Sequence, residues 1–151
     1  MGEVTLKARV HAEMTASLKS GDKIRLGALR MLAAAITNRE KDVRHELDDD
    51  EVREVAGKEV KKRAESIEAF ESAGRMDLVE KERAEREVLR AYAPEQLDDA
   101  TVDALVDEAI ASTGVASVKE MGKVMGLVMG RAKGKVDGAL VQRKVRERLG
   151  D

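Results

Sequence analysis

The stretch with the most distinctive spacing is "MGKVMGLVMGRAKGKVDG", residues 121–138, in which glycine recurs every four residues. Glycine and lysine together are typical of phosphate-binding loops, which require the pattern G-x-x-x-x-G-K-[ST]. The segment does not satisfy that pattern, because position 129 is methionine and Lys135 is followed by Val136. The sequence therefore excludes a nucleotide site of this type and leaves the periodic glycines to another explanation.

Other side chains that could carry out catalysis or bind a metal are few. The chain contains no cysteine, which excludes thiol nucleophiles, disulfide bonds and thiolate metal sites. His11 and His45 lack both the helical spacing of a metal pair and the partners of a nucleophile-activating site. The acidic run at residues 48–51 is typical of a helix N-terminus, and basic residues precede the glutamates within residues 65–71 and make an ion-paired surface. We therefore predict no catalytic residue, no metal site and no cofactor.

Positive charge is concentrated at the two ends of the chain. Residues 1–44 hold nine Lys and Arg against five Asp and Glu, residues 45–116 hold ten against 21, and residues 117–151 hold nine against four. Segments that differ this much in sign give the surface polarity, and a basic end is a candidate for binding phosphate.

The C-terminal basic segment is the candidate surface for RNA. No aromatic residue follows Tyr92, so stacking on unpaired bases is not available there, and RNA would be recognised by shape and backbone. DNA is not an expected partner. The predicted nucleic-acid-binding residues are Lys119, Lys123, Gly126, Gly130, Arg131, Lys133, Lys135 and Arg143, and further positive charge comes from Lys144, Arg146 and Arg148. On charge alone, the alternative is that these side chains form the solvated faces of two helices.

Two explanations remain open for the periodic glycines. Because four residues advance about 400° around an α-helix, Gly122, Gly126 and Gly130 can share one face, whereas Gly134 and Gly138 loosen the chain before the last helix. Bare backbone lets a neighbouring helix come close. It equally lets an RNA backbone approach, guided by the surrounding lysines and arginines. Charged residues interrupt the segment and exclude a membrane-helix contact.

Apolar periodicity along the chain predicts about seven helices and no strand. Helix starts are expected at Asp22, residues 48–51, Asp98 or Asp99, Ser117 and Asp137, and helix ends at Gly21, Gly74 and Gly114. Pro94, the only proline, predicts a domain boundary within residues 93–98. The predicted fold is all-α, with an N-terminal bundle of about four helices (residues 1–93) and a smaller C-terminal three-helix subdomain (residues 94–151).

The same periodicity predicts how individual helices pack. The inner stripe of the first helix is expected to be Leu6, Val10, Met14 and Leu18. Residues 24–36 are apolar on nearly every face, which predicts a central helix. Glu59 and Arg63 are expected to form an exposed i,i+4 pair on the third helix. The fourth helix is charged along most of its surface and is expected to contact its neighbours only thinly.

The N-terminal residues carry charges where a secretory signal requires an apolar stretch, and the apolar runs are shorter than a membrane span. We therefore expect a cytoplasmic protein without a membrane partner.

Three segments resemble the GatB/YqeY family. They are "LGALRMLAAAITNREKD" (26–42), "EVKKRAESIEAFESAGRMDLVEKERAEREVLRAYAPEQL" (59–97) and "KEMGKVMGLVMGRAKGKVDGALV" (119–141). The second is the most specific, and the likeness covers essentially the full length of a stand-alone YqeY-type chain. In that family the same module forms the C-terminal helical tail of the B subunit of the tRNA-dependent amidotransferase, which uses glutamine as nitrogen donor.

The resemblance implies two helical subdomains and a non-catalytic module that binds tRNA or a tRNA-handling partner, such as an amidotransferase or an aminoacyl-tRNA synthetase. The alternative of a component of a carbon–nitrogen ligase with glutamine as amido-N-donor has no support from the residues, since cysteine, a phosphate loop and a Ser-Lys amidase pattern are missing. A third alternative is a protein-interaction domain without an RNA role, which would fit the acidic middle of the chain. We do not expect the chain to be an enzyme by itself.

Overall fold

A computed structural model describes residues 4–132 and 135–150. Its seven α-helices are α1 (Leu6–Ser20), α2 (Lys23–Val43), α3 (Asp49–Ser72), α4 (Met76–Arg90), α5 (Asp99–Thr113), α6 (Met121–Ala132) and α7 (Gly138–Leu149). No strand is present among the described residues. The chain divides into a first unit, Met1–Pro94, which contains α1 to α4, and a second unit, Glu95–Asp151, which contains α5 to α7. The prediction of an all-α protein with four helices followed by three is confirmed.

Short polar side chains begin most of these helices. Asp48 accepts a hydrogen bond from the Glu51 backbone N–H at 2.9 Å, and the Glu51 carboxylate accepts one from the Asp48 N–H at 3.2 Å. This reciprocal pair is a capping box, and a single cap of this kind stabilises a helix by about 1 kcal/mol. The interpretation of the acidic run as a helix start is therefore confirmed. Asp22 caps α2 through one hydrogen bond, which its side chain accepts from the Arg25 backbone N–H at 3.1 Å.

The core of the first unit is built around α2, which contacts α1, α3 and α4 as predicted for a central helix. The fully buried side chains of this core include Leu29 and Leu32 of α2 and Tyr92, which follows α4. The Arg9 guanidinium carbon lies 5.7 Å from the centre of the Tyr92 ring. Burial and the nearby Glu13 carboxylate raise the pKa of the Tyr92 hydroxyl well above its ordinary value.

The predicted inner stripe of α1 is wrong at its last position. Leu18 is 62% exposed, whereas Ser17 is only 2% exposed. A strict four-residue period advances about 40° per step, so three steps from Leu6 carry the stripe about 120° away from its starting direction.

Charged side chains join α3 to α4, which sequence reasoning did not predict. Arg63 is buried, and its Nε donates to Glu85 Oε2 at 3.1 Å and lies 3.4 Å from Glu82 Oε2. Glu59 is buried as well and pairs with Lys62 at 3.1 Å. The expectation of an exposed Glu59–Arg63 pair is wrong, and α4 packs extensively on α3 rather than thinly.

In the second unit, Asp98 caps α5, and Gly114 ends it with φ 68°, a conformation that favours glycine. Ser117 accepts from the Lys119 N–H at 3.2 Å and begins a 3₁₀ turn over Val118–Glu120, so α6 starts at Met121 rather than at Ser117 as predicted. The core is a valine-rich cluster comprising Val102, Val106, Ala109, Val115, Val124, Val128, Ala132, Val136, Val141 and Val145.

Candidate nucleic-acid interface

The three glycines of α6 lie on its exposed side. A Cβ built at Gly122, Gly126 or Gly130 would meet no heavy atom within 4 Å beyond the helix's own backbone, among the residues that the structure describes. The buried side of the helix consists instead of Val124, Val128 and Ala132, which follow the same four-residue period. The explanation that a neighbouring helix packs closely against the glycines is therefore wrong for the described part of the chain.

The result is a strip of bare backbone at the surface, which we call the glycine face (Gly122, Gly126 and Gly130). Each exposed glycine destabilises a helix interior by about 0.5–1 kcal/mol relative to alanine. Because an added Cβ would meet nothing within 4 Å there, no close neighbour among the described residues requires glycine at these positions. The methionines beside the glycines, Met121, Met125 and Met129, are partly buried against the core of the second unit.

Lys123 shares this face. At about 100° per residue, Lys123 lies about 60° around the helix from Gly126 and about 20° from Gly130. Its side chain is 69% exposed, and the one carboxylate of the described residues near it, in Glu120, is at 4.0 Å. Such a loose, exposed pair contributes little, so the ammonium is available to an outside anion.

The other predicted residues near α6 that the structure describes are exposed but do not all share the glycine face. Arg131 lies on the flank of the helix and pairs with Glu108 of α5 at 3.3 Å. Lys119 is exposed in the 3₁₀ turn. Lys135 is exposed, and its backbone carbonyl accepts from the Leu97 N–H at 2.8 Å. Lys133 and Gly134 lie outside the described residues.

On α7 the cations divide between two sides of the helix. Lys144 is buried and its Nζ lies 2.8 Å from Asp103 Oδ1, while Arg148 donates to Asp103 at 2.9 Å and to Asp107 at 2.5 Å. The Asp103 carboxylate raises the pKa of Lys144, and the hydrogen bonds from Lys144 and Arg148 lower the pKa of Asp103. These two cations hold α7 to α5, so their charge is already neutralised within the second unit.

Arg143 and Arg146 are the other two cations on α7. Both are exposed and line a shallow groove together with Gln142 and Glu147. No carboxylate of the described residues lies within ion-pair distance of either guanidinium. Arg146 was not among the predicted binding residues, although its three-residue spacing from Arg143 and its position off the Val141–Val145 stripe indicate an outward side chain.

The described residues give little support for a catalytic or metal-binding site. No group of three or more His, Asp or Glu side chains is arranged to hold a metal ion there. His11 is exposed, and His45 is exposed with its Nε2 3.4 Å from Glu51. No helix within the described ranges is long and apolar enough to cross a membrane.

The fold and this surface define an all-helical chain of two units, with exposed glycines and cations on the second. The sequence profile described as "Yqey-like protein" matches residues 7–149. The chain belongs to the YqeY-like family, and the predicted family is confirmed.

Two fungal proteins are similar to the chain. One is "Altered inheritance of mitochondria protein 41, mitochondrial" of Pyrenophora tritici-repentis, which is 33% identical over 104 residues, or 68% of this chain and 58% of that protein. The other is an uncharacterised protein of Schizosaccharomyces pombe, 33% identical over 90 residues, or 60% of this chain and 73% of that protein. The match thus spans little more than half of the first relative.

Proposed function

We propose that the chain is a non-catalytic module that binds tRNA through the second unit. The observation that supports this proposal best is the glycine face, which leaves helix backbone open to a ligand and places Lys123 beside it. A phosphate backbone suits this arrangement, because it needs close approach and positive charge but no aromatic platform. Arg143 and Arg146 supply further charge from α7, whereas Lys144 and Arg148 do not take part.

A mobility-shift titration with total tRNA at several salt concentrations tests this proposal. The logarithm of the affinity should fall linearly with the logarithm of the salt concentration, with a slope of about 0.7–0.9 per phosphate contact. The triple variant K123A/R131A/R143A should lower that slope by about 2. The control K58A/K61A/K81A removes the same charge from exposed positions on α3 and α4 and should bind as the wild type does. Absence of binding at low salt, or equal binding by both triple variants, would refute the proposal.

The same proposal includes a partner protein that presents the tRNA to the chain or receives it. This partner is a tRNA-handling protein, such as an amidotransferase or an aminoacyl-tRNA synthetase. The relation to the amidotransferase B subunit tail supports this part. A pull-down from lysate with and without RNase tests it, since a partner held through tRNA is released by RNase and a directly bound one is retained. If the wild-type pull-down contains no tRNA-handling protein, whether released or retained after RNase, this part of the proposal is refuted.

We also propose that the module acts in the cytoplasm and does not itself carry out amide transfer. Fractionation of cells that express the full-length protein tests its location, and the mitochondrial relative makes the organelle the alternative to examine. Ammonia release from glutamine by the purified chain tests the second statement. Release that a substitution in the chain abolishes would favour a carbon–nitrogen ligase component instead.

A further inference from the structure

A second group of free cations lies in the first unit. Six exposed Lys and Arg side chains around α2 have no carboxylate of the described residues within ion-pair distance: Lys19, Lys23, Arg30, Arg39, Lys41 and Arg44. The pattern differs in the rest of the unit, where seven of the ten Lys and Arg within residues 45–94 are ion-paired: Arg53, Lys58, Lys62, Arg63, Arg75, Arg83 and Arg90. Four of the six, Lys23, Arg30, Arg39 and Lys41, lie within α2, Arg44 follows its last residue, and Lys19 lies near the end of α1.

Three of these cations form a line along α2. Lys23, Arg30 and Lys41 are separated by seven and eleven residues, and both separations are within about 20° of whole helical turns. At about 1.5 Å per residue they are spaced by about 10 Å and about 16 Å along the axis. This line lies about 180° around the helix from the buried Leu32, so the three side chains extend from the outer side of the unit.

Small side chains fill the space between the three cations. Gly27, Ala34 and Thr37 lie within about 40° of the line, and a Cβ at Gly27 would meet nothing within 4 Å among the described residues. The large apolar side chains nearby, Ile24 and Met31, lie beside the line rather than on it. They are 43% and 46% exposed. Protein interfaces depend on large anchors buried at their centre, and this strip has none at its centre. A phosphate backbone requires only charge and access.

We propose that the outer face of α2, defined by Lys23, Arg30 and Lys41, is a second phosphate-binding surface for RNA. This inference rests on the proposed function, because the ligand is the same class of molecule. The surface, however, lies in a different unit and is formed by different residues. Neutralising three phosphates on this face contributes to binding independently of the glycine face. Sequence counts already show the excess of basic residues in residues 1–44, and the structure adds that most of those charges are unpaired.

The test uses the full chain and the variant K23A/R30A/K41A, with K58A/K61A/K81A as the control of equal charge change. Three lost contacts at about 0.7 each lower the salt slope by about 2, which is a loss of about 100-fold in affinity for total tRNA at 0.1 M salt. The charge-conserving variant K23R/R30K/K41R should retain most of the binding. The melting temperatures of all three variants should match that of the wild type, because none of the substituted side chains packs in the core.

The outcomes separate this inference from the proposed function. Loss of binding in K123A/R131A/R143A with unchanged binding in K23A/R30A/K41A overturns the α2 surface alone. The reverse result supports the α2 surface and refutes the assignment to the second unit. Absence of RNA binding by the wild type overturns both. Loss of an acidic protein partner in the α2 variant, with the tRNA affinity unchanged, overturns the inference in favour of a protein interface.

Discussion

Replacing Gly126 with alanine separates stability from RNA binding on α6. Gly126 is exposed inside the helix, and a Cβ there would meet no heavy atom of the described residues within 4 Å beyond the helix's own backbone. Alanine has less backbone freedom in the unfolded chain, so it should stabilise the second unit by about 0.5–1 kcal/mol. For a unit of this size, that corresponds to a rise of about 2–8 °C in Tm.

The same methyl group would occupy part of the glycine face. If a phosphate approaches the bare backbone there, losing one close contact of about 1 kcal/mol weakens tRNA binding about fivefold. Melting followed by far-ultraviolet circular dichroism, together with a mobility shift, measures both effects on one preparation. Gly57→Ala is the matched control, because its Cβ would lie 3.3 Å from Pro94 Cδ. That tight contact should reduce or reverse the stabilisation, and tRNA binding should not change.

Two results would contradict this reasoning. A lower Tm for Gly126→Ala would mean that the glycine face is covered in the folded protein. A higher Tm with unchanged tRNA affinity would mean that the glycine face is open but binds nothing. The expected combination is a more stable chain that binds RNA less well.

Three further predictions concern the charged side chains within each unit. Arg63→Ala leaves the buried Glu85 carboxylate unpaired, so the first unit should lose about 3–5 kcal/mol of stability in urea unfolding. Asp48→Ala removes the cap of α3 and should cost about 1 kcal/mol in the same measurement. The pKa of Asp103 is lowered by the hydrogen bonds from Lys144 and Arg148, so its contribution to stability is complete above the ordinary value of about 3.9 and is lost as the pH falls through the lowered pKa of the folded state. Asp103→Asn should therefore weaken the loss of stability at acid pH, as measured by melting at several pH values.

Each of these has an outcome that would count against it. Arg63→Ala close to wild-type stability would show that Glu85 is hydrated and not buried as described. An unchanged urea midpoint for Asp48→Ala would mean that the cap contributes nothing to α3. An Asp103→Asn variant with the same acid sensitivity as the wild type would place the responsible carboxylate elsewhere.

Local signals in the sequence were sufficient for most helix ends, because caps and closing glycines act within one turn. Asp22 and Gly114 are examples. The start of α6 is an exception. Side-chain partners were harder, because they come from distant segments. The i,i+4 rule paired Arg63 with Glu59, whereas in the fold its partner Glu85 is 22 residues away. Lys144 similarly pairs with Asp103, which lies 41 residues earlier.

The candidate site shows the same division between local and distant information. The four-residue period correctly placed three glycines on one side of α6, but the period alone does not tell which side faces solvent. The parallel series Val124, Val128 and Ala132 held that information, since three apolar residues on the opposite side identify the buried face. Which cations remain free could not be read from the sequence, because that depends on the carboxylates brought near them by folding.

The buried Tyr92 makes the first unit optically distinct. It is the only tyrosine, the chain has no tryptophan, and the single phenylalanine also lies in that unit. Tyrosine fluorescence and near-ultraviolet dichroism therefore report on the first unit alone, whereas far-ultraviolet dichroism reports on the helices of both. Comparing the two signals during one melt distinguishes the unfolding of the second unit without a label or a truncation. An alkaline spectrophotometric titration would add a further reading, since the phenol ionises at lower pH once the first unit has unfolded.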